Sequence, residues 1–407
     1  MSTKNRKIVK GSSPFSDKIF TIFECLSNGK FKCYNIVDKY FELTSEEKAF
    51  YIKNPRSTKY IFIKKNERDN DLKYLSIRKQ CKSINKEAEK LLILTKGKIN
   101  LYRTGSPTNT SLQLFYDLCD NIEPEHIEDY EVNIFEKCRG ALIFGIPYEG
   151  IGYKYDIVSE YPSIMNSAQH KFPIKKGTLK TYTKEEFDNL KFYTFGLYHV
   201  EIHNIDFRVF RNNPENWYSH SELNFAITKL KLKITLIIEN EEPNALLYDA
   251  NSLITGKNLF GPFVKYLFNF KDSGNSEIKK YLSNLWGKLC STNVIKITNA
   301  VIYENKEIMS ILPNDDGTLT IETFVKSKFY DFNYARIKPF LMAYGRLKIA
   351  NIILPNIENI VRTHTDGIIS KVELTINTGY GLGDLKKEGK GNCKILNNNN
   401  YIWNEIK

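Results

Sequence analysis

The sequence predicts an α+β fold built on an antiparallel sheet, and three observations carry that prediction. First, IVRTHTDGIISKVEL (360–374) sets apolar strands on either side of an Asp-Gly pair, the strongest short signal for a hairpin. Second, FYTFGLYHVEIHNI (192–205) alternates like a strand, with Val200 and Ile202 on one face and His199, Glu201 and His203 on the other. Third, GPFVKYLFNFK and SEIKKYLSNLWGKLCS (261–291) read as helices alongside these strands.

Each element has a local reason. Residues 1–95 read as short strands (KIFTIFEC, KYIFIKK) and one helix, LSIRKQCKSINKEAEKLLIL. In 104–122, turn residues precede helical spacing at Leu112, Leu114, Phe115 and Leu118. Residues 138–161 read as turn, strand, Gly-rich turn, strand. SHSELNFAITKLKL (219–232) is a Ser-capped helix with Glu222 in its first turn. Residues 261–291 form two helices joined by DSGN, and 335–353 a helix with Pro339 in its first turn.

Composition limits the function classes. The 407 residues hold enough apolar chain for two or three domains. Lys and Arg outnumber Asp and Glu by 59 to 47, a net charge of +12 that suits an anionic partner. A chain that uses Lys, Asn and Ile freely, as in NNNN at 397–400, would show the same excess. The seven cysteines are scattered without a C-x-x-C pair, which fits neither a disulfide scaffold nor a zinc site. The N-terminus lacks the apolar core of a signal peptide, and no run is long and apolar enough to span a membrane. An intracellular, cytoplasmic protein is the expectation. A His pair such as His199 and His203 could ligate a metal, but on a strand it is more often a solvated edge.

Two carboxylates stand out by position. Asp156, in YDIVSEYPSIM, ends a strand, and Asp366 sits at the hairpin tip. Each alone is an ordinary turn residue. Together they suggest a site for two Mg²⁺ ions, which take hard oxygen ligands, often one or two carboxylates with water and phosphate. Lys279 and Lys280, after the DSGN loop, could hold a triphosphate.

These segments resemble, in order, the motifs of the B-family DNA polymerases. DIVSEYPSIM resembles motif A (D-x-x-S-L-Y-P-S), KKYLSNLWGK motif B (K-x-x-x-N-S-x-Y-G) and THTDG motif C (Y-x-D-T-D-S). WYSHSELNFAI, RIKPFLMAYGRL and GLGDLKKEGKGNCKILNNNNYIW resemble the linking segments and the K-x-Y region. TGSPTNTSLQLFYDL and CRGAL resemble the lead-in of the protein-primed branch, which includes phage, adenoviral, linear-plasmid and virophage-like members. The resemblance covers roughly residues 100–403.

It implies a right-hand palm, an antiparallel sheet with helices, plus helical fingers and a reduced or absent thumb. The implied parts are an N-terminal region of uncertain fold (1–95), pre-palm and palm with motif A (96–175), palm and insertion (176–255), fingers with motif B (256–295), room for a second insertion (296–334), and palm with motif C (335–407). The implied activity is DNA-directed DNA polymerisation with two Mg²⁺ ions, Mn²⁺ substituting. The implied partners are primer-template DNA and dNTPs, with a terminal protein or processivity partner and no membrane. Asp156, Asp366 and the Ile157 carbonyl would bind metal. Tyr161 would lie under the sugar and exclude a 2′-hydroxyl. Ser159, Lys271, Lys279, Ser283, Trp286 and Gly287 would surround the dNTP. Arg139, Gly140, Lys394 and Tyr401 would contact DNA.

The sequence departs from the family in four ways. His364 replaces the first motif C carboxylate. Motif B reads Ser283-Asn284-Leu285-Trp286, and Asn399 stands where the K-x-Y lysine belongs. The only D-x-E that could mark an exonuclease is Asp129-Tyr130-Glu131, too near the palm, so no proofreading is expected. With the chain ending just past the K-x-Y segment, almost no thumb is expected. These departures keep open a catalytically weak or inactive polymerase-fold accessory. A two-metal nuclease fits less well, because Tyr161 and Lys279 suit a nucleoside triphosphate.

Overall fold

A computed structural model describes residues 18–53, 60–65, 76–120, 122–240, 242–298, 306–313, 319–325 and 328–406. The N-terminal segment read as lacking a leader lies outside these residues. The chain divides into two compact units, 1–117 and 118–407.

In the first unit, strands Ile19–Cys25, Phe31–Asn35 and Lys39–Leu43 form an antiparallel meander. Tyr60–Lys64 adds to it in parallel, beside Ile19–Cys25. The helix Ile77–Leu94 is capped by Ser76, whose side chain accepts from the Lys79 amide. Its buried Ile77, Cys81, Ile84, Ala88 and Leu91 recur at helical spacing. The Cys81 thiol donates to the Phe20 carbonyl, so that face packs on the first strand.

The second unit is organised by a six-stranded antiparallel sheet: β1 (Ile143–Gly145), β2 (Tyr148–Ile157), β3 (Ile360–His364), β4 (Gly367–Ser370), β5 (Leu385–Ile395) and β6 (Tyr401–Glu405). Its order is β6-β5-β2-β4-β3-β1, so the motif A strand lies at the centre beside the motif C hairpin. Helices follow: α1 (Glu160–Met165), α2 (His220–Thr228), α3 (Gly256–Asp272), α4 (Ile278–Leu289) and α5 (Lys338–Ile353). One face of the sheet (Tyr155, Ile157, Ile360, Ile368, Leu385) packs in a common core with Phe225, Ala226, Ile349 and Ile353 of α2 and α5. The larger aliphatic and Phe side chains among them contribute roughly 1.5–3 kcal/mol each on burial. A smaller sheet centred on Gly196–Ile202 closes the same core through Tyr198 and Val200. Within 296–334, the described residues form strands Ile295–Thr298, Lys306–Pro313 and Leu319–Val325 of one antiparallel sheet.

Four expectations need correction. The Gly-rich turn is confined to Ile146-Pro147, and EGIG lies within a strand: β2 runs unbroken through Gly150 and Gly152. A Cβ on Gly152 would lie 2.8 Å from Cys393 Sγ and 3.1 Å from Ile369, so close packing, not turning, explains this glycine. The hairpin turn is Thr365-Asp366, because His364 already pairs with Gly367. Thr365 carries the positive φ (60°), and the glycine opens β4. The first of the two helices read in 261–291 starts at Gly256, capped by Thr255, and holds Pro262 in its interior. The Ser219-capped helix stops at Thr228 instead of 232.

Gly152→Ala should destabilise the second unit by about 1–3 kcal/mol, the usual cost of overpacking a full site. Urea unfolding should report it as a lower midpoint with an unchanged slope.

Candidate active site

Register assembles the site. Asp156 of β2 pairs with Gly367 of β4, and the Ile157 amide donates to the Asp366 carbonyl at 2.9 Å. Asp366 therefore sits beside Asp156 at the end of two hydrogen-bonded strands. Both carboxylates line one cleft of ≈ 490 Å³, with Ser159, Tyr161, Lys271, Lys279, Ser283 and Trp286. Ile157 contributes backbone only, since its side chain is fully buried in the core.

Burial dominates the electrostatics of both carboxylates. Burial, then Asp366 and Glu388, push the Asp156 carboxyl up to about 6 against the pull of Lys279 and Lys154. Burial also raises Asp366, opposed by its own backbone amide, Lys279 and His364. Neither carboxylate has an ion-pair partner among the described residues. Two half-buried, mutually repelling carboxylates without a protein counter-ion are a donor set suited to a hard divalent cation. Among the described residues no cluster of three or more His, Cys, Asp or Glu could hold a metal. His199 stacks on Trp217, and His203 bonds the Thr235 hydroxyl at 2.8 Å.

Motif A turns sharply after β2. Ser159 has a left-handed backbone (φ 51°), and its hydroxyl accepts from Lys271 Nζ at 2.8 Å. Burial, then the neighbouring Lys279, lower the Lys271 pKa. Non-glycine residues at such φ cost roughly 1–2 kcal/mol, and here Ser159 and Thr365 flank the carboxylate pair. Tyr161 lies against Trp286 of α4, ring centroids 4.9 Å apart. Gly345 of α5 makes room, since a Cβ there would stand 3.0 Å from the Tyr161 ring. Gly287, on α4, faces open space.

Arg139 and Gly140 lie elsewhere in the unit, held by a buried ionic network. Glu222 caps α2 through Ser219 and receives Arg346 (2.8 Å) and Arg211 (3.6 Å). Arg346 also donates to the Gly140 carbonyl at 2.6 Å, and Arg211 to the carbonyls of Cys138 and Arg139. Burial raises the Glu222 pKa, but the two arginines outweigh it and bring it down to about 2. Gly140 adopts φ +108°, a conformation that favours glycine. Glu131 of the Asp-x-Glu segment is likewise fully buried, paired with Arg336 at 2.8 Å near the start of the helix Asp129–Lys137.

Lys394 is not brought to the cleft. It pairs in register with Glu149, bonding it at 2.8 Å, on the sheet face opposite Asp156. Tyr401 does share the face of Asp156, through its pairing with Ile395 and the alternation along β2.

The cleft also holds residues that the sequence reading missed. Lys386 stands opposite Asp156, and Glu388 bulges from β5 to pair with Lys154 at 2.9 Å. KKEGK reads as a solvated charge run, and only the bulge points Glu388 inward. Tyr380 reaches the rim, three-quarters exposed. Glu160 is 2% exposed, and neither carboxylate oxygen has a hydrogen-bond partner. Burial, then Asp366, push its pKa up to about 9 despite Lys348.

No protein-family model matches the chain, and no curated protein matches it in sequence. Solved structures do. The fold is that of a DNA polymerase, mixed α+β with antiparallel sheets. Phi29 DNA polymerase complexed with primer-template DNA aligns with TM-score 0.63 and 14% identity, over 95% of this chain and 87% of that one. Its ternary complex with primer-template and incoming nucleotides aligns at 0.57 and 13%, with the same coverage. Its complex with single-stranded DNA aligns at 0.56 and 16%, over 92% and 70%. No helix among the described residues is long and apolar enough to cross a membrane.

Glu222→Gln should lower stability by about 3–5 kcal/mol, because it strands two buried guanidinium groups. Chemical denaturation measures this directly. Glu160→Gln should act oppositely. With a folded pKa above the unfolded one, the glutamate's contribution is whole below about 4.5 and is lost as pH rises towards about 9. The glutamine variant should therefore melt several degrees higher at pH 8 and nearly as wild type at pH 4.

Proposed function

We propose that the protein is a DNA-directed DNA polymerase of the protein-primed B type, acting in viral or mobile-element replication. The observation that carries this reading is the pairing of Asp156 with the Asp366 turn at the head of one cleft that also contains Lys271 and Lys279. A primer 3′-oxygen would bond to the α-phosphorus of a dNTP as the bond to pyrophosphate breaks. A protein hydroxyl would take the primer's place at initiation, which would make a terminal protein the further partner.

Asp156, Asp366 and the Ile157 carbonyl would hold two Mg²⁺ ions, with Mn²⁺ able to substitute. The ions would supply charge neutralisation and an activated oxygen. The chain's own residues do the rest. Lys279 neutralises charge on the leaving phosphates, and Lys271 fixes Ser159 beside them. Tyr161 and Trp286 form the floor under sugar and base, with Ser283 and Gly287 on the same fingers helix. Arg139 and Gly140 present the lead-in loop to the template. In this reading 256–295 act as fingers and 335–407 complete the palm.

His364 favours one alternative, a DNA-binding accessory without catalysis, since it removes a carboxylate the family uses. Primer extension with Mg²⁺ or Mn²⁺ separates the two. Wild type should incorporate dNMP, and Asp366→Ala should lose about a thousand-fold or more. Equal behaviour of the two proteins rejects the enzyme.

A further inference from the structure

Arg362, which stands where motif C has its tyrosine, is a charged side chain with no role in the site described above. It lies on β3, is only 9% exposed, and is stacked on the Tyr401 ring with its guanidinium carbon 4.3 Å from the centroid. Its Nε donates to the Asn398 carbonyl at 3.0 Å. No carboxylate pairs with it, and Nη1 and Nη2 have no hydrogen-bond partner among the described residues. Neither nitrogen is sealed from solvent, since both are absent from the buried atoms that lack partners. Burying a guanidinium is costly, and the cost is usually met by a bidentate anion. Here the protein fixes the fork's plane with an aromatic ring and a carbonyl, yet leaves its two outer donors unused.

Register says where those donors stand. Arg362 pairs with Ile369, and Ile369 with Lys154, two residues before Asp156 on the same face of β2. Arg362 is thus about 7 Å down the strand direction from the row that holds His364 and Asp156. That offset suits a phosphate one or two positions behind a 3′ end seated at the carboxylates. The ring above it belongs to the strand following the Asn397–Asn400 turn, which carries no cation of its own.

We propose that Arg362, oriented by Tyr401 and the Asn398 carbonyl, binds a backbone phosphate of the primer strand close to its 3′ end. The inference rests on the polymerase reading for the identity of the ligand. It adds a cation at a position that the motif resemblance does not assign.

The test measures binding of a primer-template duplex to the full chain by fluorescence anisotropy, without dNTP or divalent metal, across a salt series. Each phosphate contact contributes about 0.9 to the slope of log K against log salt. Arg362→Gln should bind about ten-fold more weakly at low salt and lose close to one unit of slope, while Arg362→Lys keeps the slope. Duplexes with single neutral methylphosphonates identify the strand. Neutralising one of the last few primer phosphates should weaken wild type and leave Arg362→Gln unaffected. Thermal melting of each variant separates lost binding from lost folding, and Tyr401→Ala supplies a second variant that keeps the charge but loosens its anchor. A wild-type slope in a folded Arg362→Gln, or sensitivity confined to template phosphates, overturns the proposal. So does a wild-type protein that does not bind the duplex. Normal binding with the expected slope change but no incorporation would remove the catalytic reading alone.

Discussion

Everything at the candidate site depends on one strand register. Asp156 lies opposite Gly367, so the residue before that glycine must stand beside Asp156. A slip of one residue would turn Asp156 into the core and Tyr155 out of it. The register is held on both sides. Tyr155, Ile157 and Ile368 lock one face into the main core, and Val361, Ile369, Cys393 and Ile395 lock the other. Apolar packing thus forces two carboxylates together against their repulsion. Burial in that sheet raises both pKa values, and for Asp156 the neighbouring Asp366 adds to the rise.

The second constraint is ionic. Two buried Glu–Arg systems, Glu222 with Arg211 and Arg346, and Glu131 with Arg336, tie loops to helices that are far apart in sequence. Such pairs add little net stability but define which partners can meet. Arg346 spans from α2 to the Gly140 carbonyl, and two residues earlier on α5 Tyr344 stacks on His170. One helix therefore positions the lead-in loop and, through Gly345, the Tyr161 ring.

Much of this was legible in the sequence, and the rest was hidden for physical reasons. The hairpin, the capped helices and the ordered motifs are local patterns, so Asp156, Tyr161, Lys279, Trp286 and Asp366 could be named from them. Their convergence on one cleft could not, because register is set by packing between strands about 200 residues apart. Glu388 was hidden by a bulge, Glu160 by a helix that buries a charge-type residue, and Arg362 by a strand whose apolar neighbours suggested only hairpin structure. Lys394 shows the converse: in a strand, parity decides which face a lysine serves, and Glu149 claims this one. EGIG misled because glycine serves close packing as readily as turning.

The central claim is that Asp156 and Asp366 form one divalent-cation site rather than two separate acids. Binding of Mn²⁺ followed by electron paramagnetic resonance, with and without a dNTP, tests it most directly. Wild type should bind Mn²⁺ more tightly with dNTP present, and Asp156→Asn and Asp366→Asn should each abolish that tight binding. If each single variant kept half of the bound Mn²⁺, or both bound as wild type, the carboxylates would be independent and the account would be wrong.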